Sequence, residues 1–195
     1  MSIMPMPEMN VTPYTVVRSE VRPGDVMFFS QDTSGLKKIS QFVSWRIKCD
    51  QTPPLDCTHV GMVDVIRGRR VLVEATAPCV RIAPISAMLG LIQDGKYTHA
   101  PYDGAVYVGR FSGCDGEKAA SDAWENLLLG YDYLDLLAIR LGLRRSEKSR
   151  YICSELVAEA LQAGGALLPD PAAAGAYTPA DLVLAPGCRM LWRLR

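Results

Sequence analysis

Three side chains in this sequence have the types that an activated thiol needs: Cys153, His59 and Glu74. Cys153 lies in Tyr151-Ile152-Cys153-Ser154-Glu155-Leu156-Val157. A helix is expected to start there, because Leu156, Val157, Ala160 and Leu161 recur at the spacing of a core-facing stripe. A thiol in the first turn of a helix feels the positive end of the peptide dipoles, which favours the nucleophilic thiolate. The backbone N–H groups that follow, beginning with Ser154, point out of the helix end and suit an oxyanion. The Tyr151 hydroxyl is near enough in sequence to donate at the same place. Such a thiol works with a base, and the chain has two histidines, His59 and His99.

A hairpin is expected to place His59. His59–Val65 and Val71–Ala75 read as strands joined by Arg67-Gly68. If those two residues form the loop, Ile66 pairs with Arg69 and Gly61 with Glu74. His59, Gly61 and Glu74 then share a face, with His59 and Glu74 diagonal and about 7 Å apart at their bases. Gly61 leaves the space between them empty. A buried carboxylate accepting one ring N–H would fix the imidazole tautomer and leave the other nitrogen for the thiol. A slip of one residue would turn Glu74 to the wrong face.

Each residue also has a structural reading. Cysteine is often a small buried hydrophobe, His59 beside Val60 fits a hydrogen-bonded sheet histidine, and Glu74 on an edge strand would face water. Cys57 and His59 with Cys49 or Cys79 make a conceivable zinc set, but no Cys-x-x-Cys pair supports it. His99 precedes a loop at Pro101 and reads as a surface residue, although it is the rival base.

Around these residues the elements alternate between the two periods. Residues 1–13, with Pro and Met, read as a flexible N-terminal arm ahead of a single domain over 14–195. Arg22-Pro23-Gly24-Asp25 is a tight turn, and Val26–Phe29 a strand buried on both faces. Leu36–Trp45 has helical spacing, and Gln51–Leu55 is a loop. Cys79–Ile82 and Ala105–Phe111 read as strands, and Gly116–Leu129 and Tyr133–Leu141 as helices. The Cys153 helix is expected to end near Gln162, before Gly164-Gly165. Ala163–Ala176 is a loop of small residues. Thr178-Pro179 starts a helix with Thr as cap, and Met190–Leu194 is a last strand. Strands in the middle flanked by helices indicate an α+β domain.

Composition narrows the function classes. The 21 Lys and Arg balance the 21 Asp and Glu, so no general pull toward nucleic acid or an anionic membrane is implied. No apolar run of 18 residues offers an integral membrane segment. Met1–Val11 lacks the basic start and apolar run of a secretory leader. The six cysteines follow no repeated spacing, which suits free thiols in a reducing cytoplasm. No cofactor and no metal are expected.

The pieces Pro23-Gly24-Asp25-Val26, Thr58-His59-Val60-Gly61-Met62-Val63, Val73-Glu74-Ala75 and Tyr151-Ile152-Cys153-Ser154-Glu155-Leu156-Val157 form a familiar series. With Tyr177-Thr178-Pro179-Ala180-Asp181-Leu182, the chain resembles the circularly permuted branch of the NlpC-like papain fold, the YiiX/YaeF-type amidases. The match spans residues 22 to 184. Papain runs Cys, then His, then Asn; here His and the acid come first and the Cys helix late, as expected of the permuted branch. The resemblance implies an α+β, permuted papain-like fold in which a central antiparallel sheet packs against helices. It implies a cysteine amidase or peptidase with Cys153 as nucleophile, His59 as base and Glu74 as third member. The substrate would be a small peptide, including cell-wall-type peptides, or a lipid-like amide. Trp45 and Ser44, ahead of the His strand, would wall the cleft. The related lecithin retinol acyltransferase branch implies the alternative of a lipid acyltransferase or phospholipase, although that branch tends to carry a second His where Glu74 stands. A catalytically idle peptide- or lipid-binding member is the other alternative. The leucine-rich stretch Cys114–Arg145 would then either cover an apolar pocket or supply two core helices.

Overall fold

The computed structural model describes residues 6–30, 57–90, 102, 104–131, 150–169 and 177–194. The expected helices at Leu36–Trp45 and Tyr133–Leu141, the Gln51–Leu55 loop, residues 170–176 of the Ala163–Ala176 loop, and Ser44, Trp45 and His99 lie outside them.

The elements in chain order are β1 (Val11–Thr12), α1 (Tyr14–Val17), β2 (Val26–Ser30), β3 (His59–Ile66), β4 (Arg69–Thr76), β5 (Cys79–Pro84), α2 (Ile85–Met88), β6 (Ala105–Phe111), α3 (Gly116–Glu125), β7 (Gly130–Tyr131), β8 (Arg150–Tyr151), α4 (Cys153–Ala163), α5 (Pro179–Leu184) and β9 (Cys188–Leu194). The strands form one sheet in the order β1-β9-β6-β2-β3-β4-β5-β7-β8. Its pairs are antiparallel except β1–β9 and β7–β8 at the two ends. The domain is α+β, with the helices packed on this central sheet.

Period-2 alternation divides the sheet into two apolar faces. Val26, Phe28, Val60, Met62, Val73 and Ala75 pack with Leu156, Val157 and Leu161 of α4 and the alanines of α3. Met27, Phe29, Val63, Leu72 and Val108 pack on the other face with Tyr14, Val17 and Ile85. The central strand β2 is buried at every position, as its unbroken apolar run predicts.

The hairpin has the expected register. Ile66 pairs with Arg69 and Met62 with Val73, and the turn residues Arg67 and Gly68 take φ of 48° and 77°, the left-handed pair that a two-residue hairpin needs. The Pro23-Gly24-Asp25 turn is fixed by close backbone approach. Gly24 has φ of 80°, and a Cβ on Gly116 would stand 2.1 Å from Pro23 O. Asp25, fully buried, accepts two bonds from the Arg110 guanidinium, at 2.6 and 2.9 Å, and one from Arg22 N–H at 2.9 Å.

Several elements differ from the sequence reading. The helix expected over Gly116–Leu129 stops at Glu125. Val80 O accepts from Leu128 N–H at 3.0 Å and Val80 N–H donates to Leu129 O at 2.9 Å, so β5 captures this backbone and Leu128 turns outward with φ of 67°. In the arm, Met6 is buried and Val11–Thr12 pair with Arg193–Leu194. Gly61 does not face empty space: a Cβ there would lie 2.7 Å from Leu72 Cγ. The short elements β1, α1, α2, β7 and β8 carry too few residues to show a period.

Candidate active site

His59 and Glu74 meet because the hairpin register sets them diagonally on one face. Nε2 of His59 lies 2.7 Å from Glu74 Oε2. Glu74 is 2% exposed, and a buried carboxylate requires such partners. Its other oxygen, Oε1, accepts from Arg81 Nε at 2.9 Å and lies 2.8 Å from the Nη2 nitrogen of Arg81. Arg81 sits directly opposite Glu74 in the β4–β5 ladder, across a turn that contains the cis Ala77-Pro78 peptide. Nothing in the single sequence marks Arg81. The signal that finds it is the Glu74↔Arg81 register, which needs the position of β5.

Cys153 is the first residue of α4 and is buried. It interacts electrostatically with the His59 side chain. Since Nε2 belongs to Glu74, the nitrogen left for the thiol is Nδ1. The structure therefore brings Cys153, His59, Glu74 and Arg81 into one chain of contacts. The His59 ring also lies against Phe29, with centroids 5.4 Å apart, which limits its rotation.

Electrostatics follows from this chain. Burial works against a charged imidazole. The charge and hydrogen bond of Cys153, then the hydrogen bond and charge of Glu74, outweigh it and raise the His59 pKa to about 10. Burial likewise works to raise Glu74, but His59 and then Arg81 hold it below its usual value. Both shifts favour the charged imidazole beside an ionised carboxylate. Two other thiols differ: burial pushes Cys188 up to about 12, and burial and then the charge of Asp115 raise Cys114.

The start of α4 suits an anion. Its N-cap is Ile152, which has no side-chain acceptor. Only the reverse half of a capping box forms, with Ile152 N–H donating to Glu155 Oε2 at 3.3 Å. The first i→i−4 bond runs from Leu156 N–H to Ile152 O, so the N–H of Ser154 precedes the helical ladder. The Ser154 hydroxyl is fully buried and donates to Tyr177 O at 2.6 Å. That bond ties the Tyr177–Leu182 segment to α4, and a complete Thr178–Asp181 capping box starts α5 beside it.

Tyr151 does not take the place expected of it. Its hydroxyl donates to Glu159 Oε2 at 2.7 Å, and Glu159 lies about 9 Å further along the helix axis than Cys153. The phenol is thus drawn along the helix and away from its N-terminus.

The fold has a solved counterpart. The crystal structure of metalloprotein yiiX, DUF1105, from Escherichia coli O157:H7 matches with a TM-score of 0.59, covering 88% of this chain and 97% of that one at 17% identity. This chain has a YiiX-like fold. No family model matches its sequence, and no curated protein matches it significantly. The solved neighbour is described as a metalloprotein. Here, no three His, Cys, Asp or Glu side chains among the described residues are grouped to hold a metal ion, and both Glu74 oxygens are engaged by His59 and Arg81. The described residues do not fit such a group. No helix among them is long and apolar enough to cross a membrane.

Proposed function

We propose that this chain is a cysteine amidase or peptidase of the permuted papain-like, NlpC-like kind, with Cys153 as nucleophile. The observation that carries the reading is the unbroken sequence of contacts Cys153–His59–Glu74, with the thiol at a helix N-terminus. The raised His59 pKa, to about 10, favours a resting thiolate–imidazolium pair. His59 then acts first as an acid. The thiolate attacks the amide carbonyl, and the Ser154 N–H at the helix start stabilises the oxyanion. His59 gives its proton to the leaving amine, and the thioester forms. The neutral imidazole next draws a proton from water, which attacks the thioester and returns Cys153. Glu74 holds Nε2 and keeps Nδ1 toward the sulfur. The substrate class is a small peptide or a lipid-like amide.

The first test needs no substrate. Iodoacetamide at neutral pH, read out by peptide mass spectrometry, should alkylate Cys153 ahead of Cys188 and Cys114, although Cys153 is only 5% exposed. His59→Ala should slow that alkylation at least tenfold. Equal labelling of the three thiols would sink the proposal. With peptide and acyl-amide substrates, Cys153→Ala should abolish turnover. Protection of Cys153 from alkylation by one substrate series identifies the scissile bond.

A further inference from the structure

A second charged feature lies at the far end of β3 from His59, roughly 23 Å away along the strand. There α1, the β3–β4 turn and the start of α2 enclose a groove of about 790 Å³. Arg18, Arg67, Arg69 and Arg70 line it, over an apolar floor that includes Ile66 and Val71. No carboxylate appears among the described residues that line it. Arg70 is fixed by three neutral acceptors, Val21 O at 3.3 Å, Gly68 O at 3.0 Å and Ser19 O at 3.2 Å, so its charge is not cancelled. Arg18, Arg67 and Arg69 form no ion pair with a described residue. The chain as a whole carries no net charge, which makes four guanidinium groups around one groove a local concentration.

Arg67 stands out further. Its φ of 48° is the left-handed conformation that Asn, Asp or Gly adopts at low cost and a long side chain does not. The hairpin turn alone would favour Asn there.

We propose that this groove binds a phosphate monoester carried on an apolar body. Guanidinium groups offer planar pairs of donors matched to phosphate oxygens. A dianion answers the charges of Arg18, Arg67 and Arg69, and the Ile66–Val71 floor takes the apolar body. The volume is in the range of small-ligand sites. The groove is independent of the thiol site, so binding and alkylation can fail separately.

The experiment is calorimetric titration of the full chain with phenyl phosphate, inorganic phosphate and benzyl alcohol, together with sedimentation on vesicles of phosphatidylcholine with and without phosphatidic acid. Phenyl phosphate should bind more tightly than inorganic phosphate and than benzyl alcohol, and less tightly at high salt. Sedimentation that depends on phosphatidic acid would make the source of the phosphate a lipid headgroup. Phenyl phosphate binding without it would make the source a soluble ester. Arg67→Asn suits the turn geometry, so the hairpin should keep its thermal midpoint while affinity falls about tenfold, the worth of one charged hydrogen bond. Arg69→Gln should act alike, and Cys153 alkylation should be unchanged in both. Phenyl phosphate binding no tighter than benzyl alcohol, or equal in wild type, Arg67→Asn and Arg69→Gln, would overturn the proposal.

Discussion

Replacing Cys153 with Ala should move the His59 titration further than any other single change at the site. The ring pKa of about 10 against an ordinary 6.5 corresponds to ~5 kcal/mol in favour of the charged imidazole. Cys153 supplies the largest raising contribution, through both charge and hydrogen bond, and Glu74 the next. Two unit charges about 4 Å apart at an effective dielectric of 20 attract by ~4 kcal/mol, or about three pKa units. Removing the thiol should therefore bring the midpoint down from about 10 by two to three units, on the order of that Coulomb energy. Glu74→Gln should lower it by only about one to two units, because the Arg81 guanidinium, 2.8 Å from Oε1, already offsets part of the carboxylate field. The chain has two histidines, so a proton–carbon NMR spectrum of the imidazoles contains two titrating signals, and His59→Gln assigns them. A wild-type midpoint near 6.5, or one that Cys153→Ala leaves in place, would refute the ion pair. In catalysis the sign follows directly. The leaving amine needs the imidazolium, so hydrolysis should fall as pH rises through about 10.

Three other outcomes test neighbouring parts of the fold. Arg81→Gln frees Glu74 Oε1 and loosens the ring; Cys153 alkylation and kcat should fall roughly threefold to tenfold with KM unchanged, and Arg81→Lys should recover part of the loss, modest because Arg81 is 39% exposed. Unaltered rates would remove Arg81 from the site. Asp25→Asn breaks a buried ion pair and should cost about 3 kcal/mol in urea unfolding, the lower end for such pairs because Arg110 is a third exposed; an unchanged midpoint would count against it. Gly116→Ala should destabilise by at least ~3 kcal/mol, since its Cβ would meet Pro23 O at 2.1 Å, whereas Gly68→Ala meets no atom within 4 Å and should lose only the ~1–2 kcal/mol of a left-handed φ. Equal losses in the two variants would contradict the close backbone approach.

The hairpin was legible because its turn chemistry and its alternation agree. Arg67-Gly68 set the register, and the register set Glu74 beside His59. The α4 and α5 starts were legible for a similar local reason: the apolar stripe after Cys153 and the Thr178-Pro179 cap each need only a few adjacent residues. The leucines at 127–129 misled because a run of good helix formers has no local mark of the strand that captures its backbone. Tyr151 misled because proximity in sequence to a helix start does not say which way a phenol turns when Glu159 offers a carboxylate. Arg81 was invisible, since an arginine in a strand becomes a partner only when its register with Glu74 is known.

From the sequence alone came the order of the longer described elements, the hairpin register and the presence of a thiol at a helix start. These depend on periods of 2 and 3.6, on turn residues and on caps, all of which act over a few neighbours. Tertiary structure decided that the α4 terminus meets His59, that Arg81 closes the chain of contacts behind Glu74, and that four arginines surround one groove. It also set the charge state of the site. Burial and close opposite charges compete with comparable energies of several kcal/mol, and only the packed distances determine which prevails at His59.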